Sequence, residues 1–88
     1  MSGTYCFSVH AEASPSTLPR VVEVFALHGH VPCRCHAQLA GPGRDEMVVD
    51  LQMADVTADQ AALLAKRLGR VVTVRTVLWS EKRNAVAA

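Results

Sequence analysis

Ser14-Pro15-Ser16-Thr17-Leu18-Pro19-Arg20-Val21-Val22-Glu23-Val24-Phe25-Ala26-Leu27-His28-Gly29-His30-Val31 is the stretch whose reading decides the fold. Leu18, Val21, Val22 and Phe25 recur at i, i+3, i+4 and i+7, the spacing of a helix with one apolar face. Pro19 has no N–H, so it belongs among the first helical residues, whose donors have no intrahelical acceptor anyway. That places Ser16 at the N-cap, with its hydroxyl expected to accept a backbone N–H of the first turn. Gly29 marks the C′ position, where a left-handed residue without Cβ costs least. The helix therefore leaves one strand and returns the chain to the next through a glycine turn.

Working outward, residues 4–12 alternate between Tyr5, Phe7, Val9, Ala11 and a mostly polar set of Thr4, Cys6, Ser8, His10, which predicts a strand with one buried face. Ala13-Ser14-Pro15 turns it into the helix. After Gly29 a second strand is predicted over Val31–Leu39, with Val31, Cys33, Cys35, Ala37 and Leu39 facing the helices and Pro32, Arg34, His36 and Gln38 opposite. Pro32 cannot donate to a ladder and suits an edge strand. Gly41-Pro42-Gly43-Arg44-Asp45 is a hairpin connection. It leads to a third strand in which Met47, Val49, Leu51 and Met53 alternate with Val48, Asp50 and Gln52. Thr57-Ala58-Asp59-Gln60 has the form of a capping box and opens a second helix. Ala61, Leu64, Ala65 and Leu68 form that helix's apolar stripe, and Gly69 closes it. Val71–Trp79 reads as a fourth strand with Val72, Val74 and Leu78 inward, since Thr73 and Arg75 occupy the other face. Ser80–Ala88 read as a frayed tail.

The order β-α-β-β-α-β predicts an α+β, ferredoxin-like sandwich: four antiparallel strands with both helices on one face. Right-handed crossovers leave the spatial order 4-1-3-2, with the second strand at an edge. Residues 1–80 are expected to form one domain and 81–88 a flexible C-terminal tail. The uncovered face should present His10, Arg34, His36, Asp50, Gln52, Arg75 and Trp79.

Composition narrows the function classes. The 88 residues are 50% hydrophobic and carry a net charge of +1, which fits a folded chain and gives no basic footprint for nucleic acid. An aromatic pair for stacking bases is missing from the outward positions of the central strands. No apolar run approaches the ~20 residues that cross a bilayer, so no membrane contact is expected. The N-terminal residues lack the basic-then-apolar pattern of a secretory leader. With an odd cysteine count of three, this points to reduced thiols and a cytoplasmic location.

Pro15-Ser16-Thr17-Leu18, Arg20-Val21, Phe25, Gly29 and the strand after it resemble the Pro-Gly-x-Leu…Gly-Tyr-Asn-Ile pattern of ACT domains. More closely, Ser14–Val22 resembles the Asn-Pro-Glu-Thr-Leu-Glu-Arg-Val-Leu segment of the short regulatory subunits of acetolactate synthase of the isozyme II type. Leu63-Leu64, Leu68 and Val71-Val72-Thr73-Val74 resemble the second helix and last strand of those subunits. The likeness spans about residues 4 to 79.

The resemblance implies a non-catalytic, regulatory small subunit that binds and activates the large catalytic subunit of acetolactate synthase in branched-chain amino-acid synthesis. That partner would hold thiamin diphosphate, magnesium and FAD, and this chain no cofactor. In ACT domains the loop before the first helix, with the start of a neighbouring subunit's second strand, forms an amino-acid effector site. On this chain those positions are Ser14, Ser16, Thr17 and Val31. Ser16 stands where the pattern has glycine, and Val31 where it has asparagine. A valine side chain offers no hydrogen bond to an effector.

The residues suggest further roles without the resemblance. Val31, Cys33 and Cys35 line the unpaired edge of the second strand, where two copies are expected to join into a homodimer. Trp79 beside Arg75, with Arg34, is a candidate anchor for a protein partner, because Trp and Arg concentrate at docking hot spots. His28, His30, Cys33, Cys35 and His36 are the densest metal-capable group. Their spacing is wrong for structural zinc, and the two thiols are expected to pack as core residues, with no metal. A free-standing amino-acid sensor is the main alternative. A small ferredoxin-like enzyme ranks behind it for want of an acid–base or cofactor motif.

Overall fold

A computed structural model describes residues 2–82. Its elements are β1 (Ser2–Glu12), α1 (Thr17–Leu27), β2 (Arg34–Ala40), β3 (Glu46–Thr57), α2 (Ala58–Leu68) and β4 (Val74–Glu81). The strands pair antiparallel in the order β2-β3-β1-β4, and both helices cover one face. This is the ferredoxin-like arrangement the sequence predicts, with β2 at an edge.

The alternation of β1 holds throughout: Tyr5, Phe7, Val9 and Ala11 are buried, and so are Val49, Leu51 and Met53 opposite them on β3. The stripe Ala61, Leu64, Ala65 and Leu68 of α2 closes over them. Phe25 meets Phe7 edge-to-face, with ring centroids 5.7 Å apart, joining α1 to the centre of the sheet. The capping box forms as the spacing predicts. Gln60 N–H donates to Thr57 Oγ1 at 3.1 Å, and Thr57 N–H to Gln60 Oε1 at 2.8 Å. At the C-terminal end of α1, Gly29 takes φ +73°. Its N–H reaches the Ala26 carbonyl at 3.0 Å and the His30 N–H the Phe25 carbonyl at 2.8 Å, the two bonds of a Schellman motif.

Other expectations need correcting. Val22 is 39% exposed, whereas Val24 is 9% exposed and belongs to the core. Val22 sits ~100° round the helix from Val21 and falls on the shoulder of the buried stripe. Ser16 does occupy the N-cap, but its side chain makes no capping bond. The strand β2 begins at Arg34 rather than Val31, and Cys33 and Cys35 are exposed rather than packed in the core. Their parity does match the core face, since Cys35 pairs with Leu51 and Ala37 with Val49. The helix layer falls short at the start of β2: Ala37 packs against the core, while Cys33 and Cys35 are left exposed.

The fourth strand departs most. It runs Val74–Glu81, so Ser80 and Glu81 belong to the sheet and are not a tail. The Lys82 N–H still donates to the Thr4 carbonyl at 2.8 Å; the rest of the expected tail, 83–88, lies outside the described residues. Val72 precedes the strand and is exposed. A bulge absorbs Arg75: Val74 pairs with Ala11, but Thr76 pairs with His10 and Val77 with Val9. Beyond it, Val77 and Trp79 face the helices while Leu78 faces outward, the reverse of the prediction. A second bulge, on β3, has Asp55 at φ +59° and restores Val56 to the core face.

Candidate functional site

The uncovered face of the sheet is a grid set by strand register. One row across β2, β3, β1 and β4 is His36, Asp50, Ser8 and Leu78; the next is Arg34, Gln52, Cys6 and Ser80. These eight residues line a shallow groove of roughly 510 Å³, within the range of small-molecule sites. The eight outward side chains supply one guanidinium, one carboxylate, an imidazole, an amide, two hydroxyls, a thiol and one aliphatic group, and Phe7, Leu51 and Trp79 complete the lining.

Hydrogen bonding within the grid is uneven. His36 Nε2 lies 3.1 Å from Gln38 Oε1, along its own strand and away from Asp50. Ser8 Oγ lies 3.4 Å from His10 Nε2, again along the strand. Gln52 Oε1 accepts from Lys82 Nζ at 3.5 Å. Arg34 and Asp50 are left with no side-chain hydrogen bond and no ion pair among the described residues, although they sit one diagonal apart. Sequence reading placed Arg34, His36, Asp50 and Gln52 on this face correctly. It missed Leu78, whose outward turn depends on a bulge with no mark in the residue pattern.

The loop before α1 is arranged differently from the expected effector site. Ser14 and Ser16 hydroxyls lie 3.1 Å apart and are exposed, and the Ser16 N–H points to Ser14 Oγ at 3.4 Å. Thr17 is fully buried. Its Oγ1 is 2.8 Å from the Glu12 carbonyl and 2.8 Å from Thr73 Oγ1. A hydroxyl has one hydrogen and the carbonyl can only accept, so Thr17 donates to Glu12 and accepts from Thr73. The threonine is thereby committed to joining the start of α1 to the ends of β1 and β4. Val31 lies exposed in the loop ahead of β2, and not in the strand.

Cys35 lies on the edge strand β2, and Cys33 in the segment just before it. Cys33 donates from its backbone N–H and from Sγ to the Gln52 carbonyl, at 2.8 and 3.3 Å. The expected docking trio does not assemble. Arg75 pairs with Glu46 at 3.6 Å toward the opposite end of the sheet; Arg34 and Trp79 both border the groove, but the register of Trp79 with Phe7 turns its ring to the helix side. There Trp79 meets Tyr5 at 6.1 Å between ring centroids and keeps 41% exposure. Among the described residues no three His, Cys, Asp or Glu side chains converge to hold a metal ion.

A ferredoxin-like sheet covered on one face only, with a shallow polar groove on the other, is the architecture of an α+β domain of ACT type. The chain belongs to the ACT-like domain family, whose sequence profile matches residues 2–86. No characterised protein matches it by sequence at a significant level. Among solved structures it is similar to the ACT domain from the GTP pyrophosphokinase of Chlorobium tepidum (TM-score 0.77, 14% identity, covering 91% of this chain and 100% of that one). It is similar also to protein TM1266 from Thermotoga maritima (TM-score 0.73, 14% identity, covering 94% and 100%). The C-terminal domain of the MgtC protein from Mycobacterium tuberculosis is a further likeness (TM-score 0.71, 16% identity, covering 99% and 95%). At these identities the likeness is one of fold. No helix among the described residues is long and apolar enough to cross a membrane.

Proposed function

We propose that the chain is an amino-acid-sensing regulatory module, acting without a catalytic activity of its own. What supports this reading is membership of the ACT-like family together with an uncovered polar sheet face on a well-packed core. Ligand binding on such a face changes the free energy of whichever conformation holds it, and a partner protein can read that difference. The reading places the module in the cytoplasm, where its three cysteines stay free. Calorimetry on the full chain with valine, leucine, isoleucine and the remaining common amino acids tests it. Micromolar binding of at least one is expected; a flat titration across the whole set refutes it.

A second reading is favoured by the sequence of Ser14–Val22, which resembles the regulatory subunits of acetolactate synthase. Here the chain binds the large catalytic subunit, which carries thiamin diphosphate, magnesium and FAD, and favours its active conformation. Two copies pair through the β2 edge at Cys33 and Cys35, with Val31 in the adjoining loop. Adding the chain to the large subunit is expected to raise acetolactate formation. A Cys35→Lys change, which puts a charge on the pairing edge, is expected to give monomers by sedimentation. No gain in activity refutes the subunit reading, and a persistent dimer refutes the edge pairing.

A further inference from the structure

We propose that Cys33 and Cys35 form a modification site: a dithiol that a hydroperoxide oxidises to an intrachain disulfide. The site goes beyond the sensing reading and does not depend on it. Both thiols are exposed, although the parity of Cys35 is that of the core face. They flank a single residue, Arg34, whose side chain lines the open-face groove, while neither cysteine does. Alternate residues of an extended chain share a face, so the two thiols lie together on the other side of the sheet. Their α-carbons are ~6.6 Å apart, at the upper end of the ~4.4–6.8 Å that a disulfide spans. A bridge formed there is strained and exposed, the character of a labile, regulatory disulfide rather than a structural one. Cys6 does not compete, because it lines the groove on the opposite face, on a strand two removed from β2.

The location lets the ring close at little cost to the fold. Arg34 is the first residue of the edge strand, and Cys33 belongs to the segment before it. Drawing their neighbouring α-carbons together distorts one end of one ladder and leaves the core untouched. That end is held by two donors of Cys33, the backbone N–H and Sγ, both on the Gln52 carbonyl at 2.8 and 3.3 Å. Cys35 Sγ has no such anchor among the described residues and is the freer nucleophile. Its thiolate attacks one oxygen of hydrogen peroxide; the O–O bond breaks, the departing hydroxide takes up a proton, and a sulfenic acid remains. The Cys33 sulfur then attacks the Cys35 sulfur. The S–S bond forms, the S–O bond breaks, and hydroxide leaves as water with the Cys33 proton. In all, the two thiols lose two electrons and two protons, and the peroxide becomes two waters. Oxidation thereby takes the S–H away from the Gln52 carbonyl and pulls on the backbone that positions Arg34 in the groove.

The test treats the full chain, reduced and then freed of reductant, with one equivalent of hydrogen peroxide. Thiol titration is expected to fall from three free thiols to one, with the product running as a single chain on denaturing, non-reducing electrophoresis. Trypsin cuts after Arg34, so fragments 21–34 and 35–44 stay joined, at a combined mass lower by two hydrogens. Glutathione restores all three thiols. Cys33→Ser and Cys35→Ser each abolish the link, and Cys6→Ser leaves it. Cys33 and Cys35 are exposed, so their variants keep the parent's thermal midpoint. Hydrogen exchange at the Cys33 amide is expected to quicken at least tenfold in the oxidised chain. Separate fragments, a disulfide-linked dimer, or loss of the Cys6 thiol ahead of the pair overturns the intrachain site. A bridge that resists glutathione overturns its labile character, and an unchanged Cys33 amide overturns the coupling to Arg34.

Discussion

Removing the hydroxyl of Thr17 while keeping its shape isolates one buried polar contact that joins three elements. In Thr17→Val the lost oxygen had donated to the Glu12 carbonyl at 2.8 Å and accepted from Thr73 at 2.8 Å. The carbonyl keeps a second partner, the Ser14 N–H at 2.9 Å, so it is not orphaned. The Thr73 hydroxyl is half-buried and can turn partly to water. Two net hydrogen bonds at ~0.5–1.5 kcal/mol each, reduced by that relief, give a destabilisation of about 1–2 kcal/mol. For a domain of this size each kcal/mol lowers the midpoint by ~4–8 °C, which thermal unfolding followed by circular dichroism resolves easily. Thr17→Ser keeps the oxygen and gives up a methyl group, so it should cost only ~1 kcal/mol. A Thr17→Val, Thr73→Val double variant should cost less than the sum of the single changes, because both remove the same bond. A Thr17→Val midpoint equal to the parent's, or additive single and double variants, would falsify the assignment of this hydroxyl to a structural clamp.

Three further outcomes follow from the same reasoning. Gly29→Ala meets no neighbouring atom within 4 Å, so its penalty comes from the backbone at φ +73° alone; urea unfolding should show a loss of ~1 kcal/mol. Thr57→Ala removes the hydroxyl half of the α2 capping box and should destabilise by ~1 kcal/mol in the same assay, with helical content falling first at that end. Arg75→Gln breaks the described ion pair with Glu46, an exposed contact at 3.6 Å, and should leave the unfolding free energy within ~0.5 kcal/mol of the parent.

Periodicity carried most of the architecture. The alternation of Tyr5, Phe7, Val9 and Ala11 and the helical stripe Ala61, Leu64, Ala65, Leu68 each bury one face in the structure, because local spacing and tertiary cover agree there. Where they disagree, spacing misleads. Cys35 has the right parity for the helix side, yet it stays exposed while Ala37 beside it packs against the core, an outcome set by packing rather than by the strand's own residues. Trp79 fails for another reason. Strict alternation from Val74 puts it outside, and only the extra residue at Arg75 reverses it. The charged members of the groove were legible as outward positions on β2 and β3. That Arg34 and Asp50 stay apart while their neighbours bond elsewhere depends on rotamers, which residue order does not encode.

The two bulges, at Asp55 on β3 and at Arg75 on β4, have a consequence for how this surface can change over time. Each adds local right-handed twist and bends the strand that carries it. Curvature of that origin belongs to the main chain, so replacing the residues at positions 34, 50 or 78 would leave the hollow standing. Relatives built on the same backbone could therefore exchange the chemistry of the hollow residue by residue, retuning what is recognised while the helix-side core goes undisturbed.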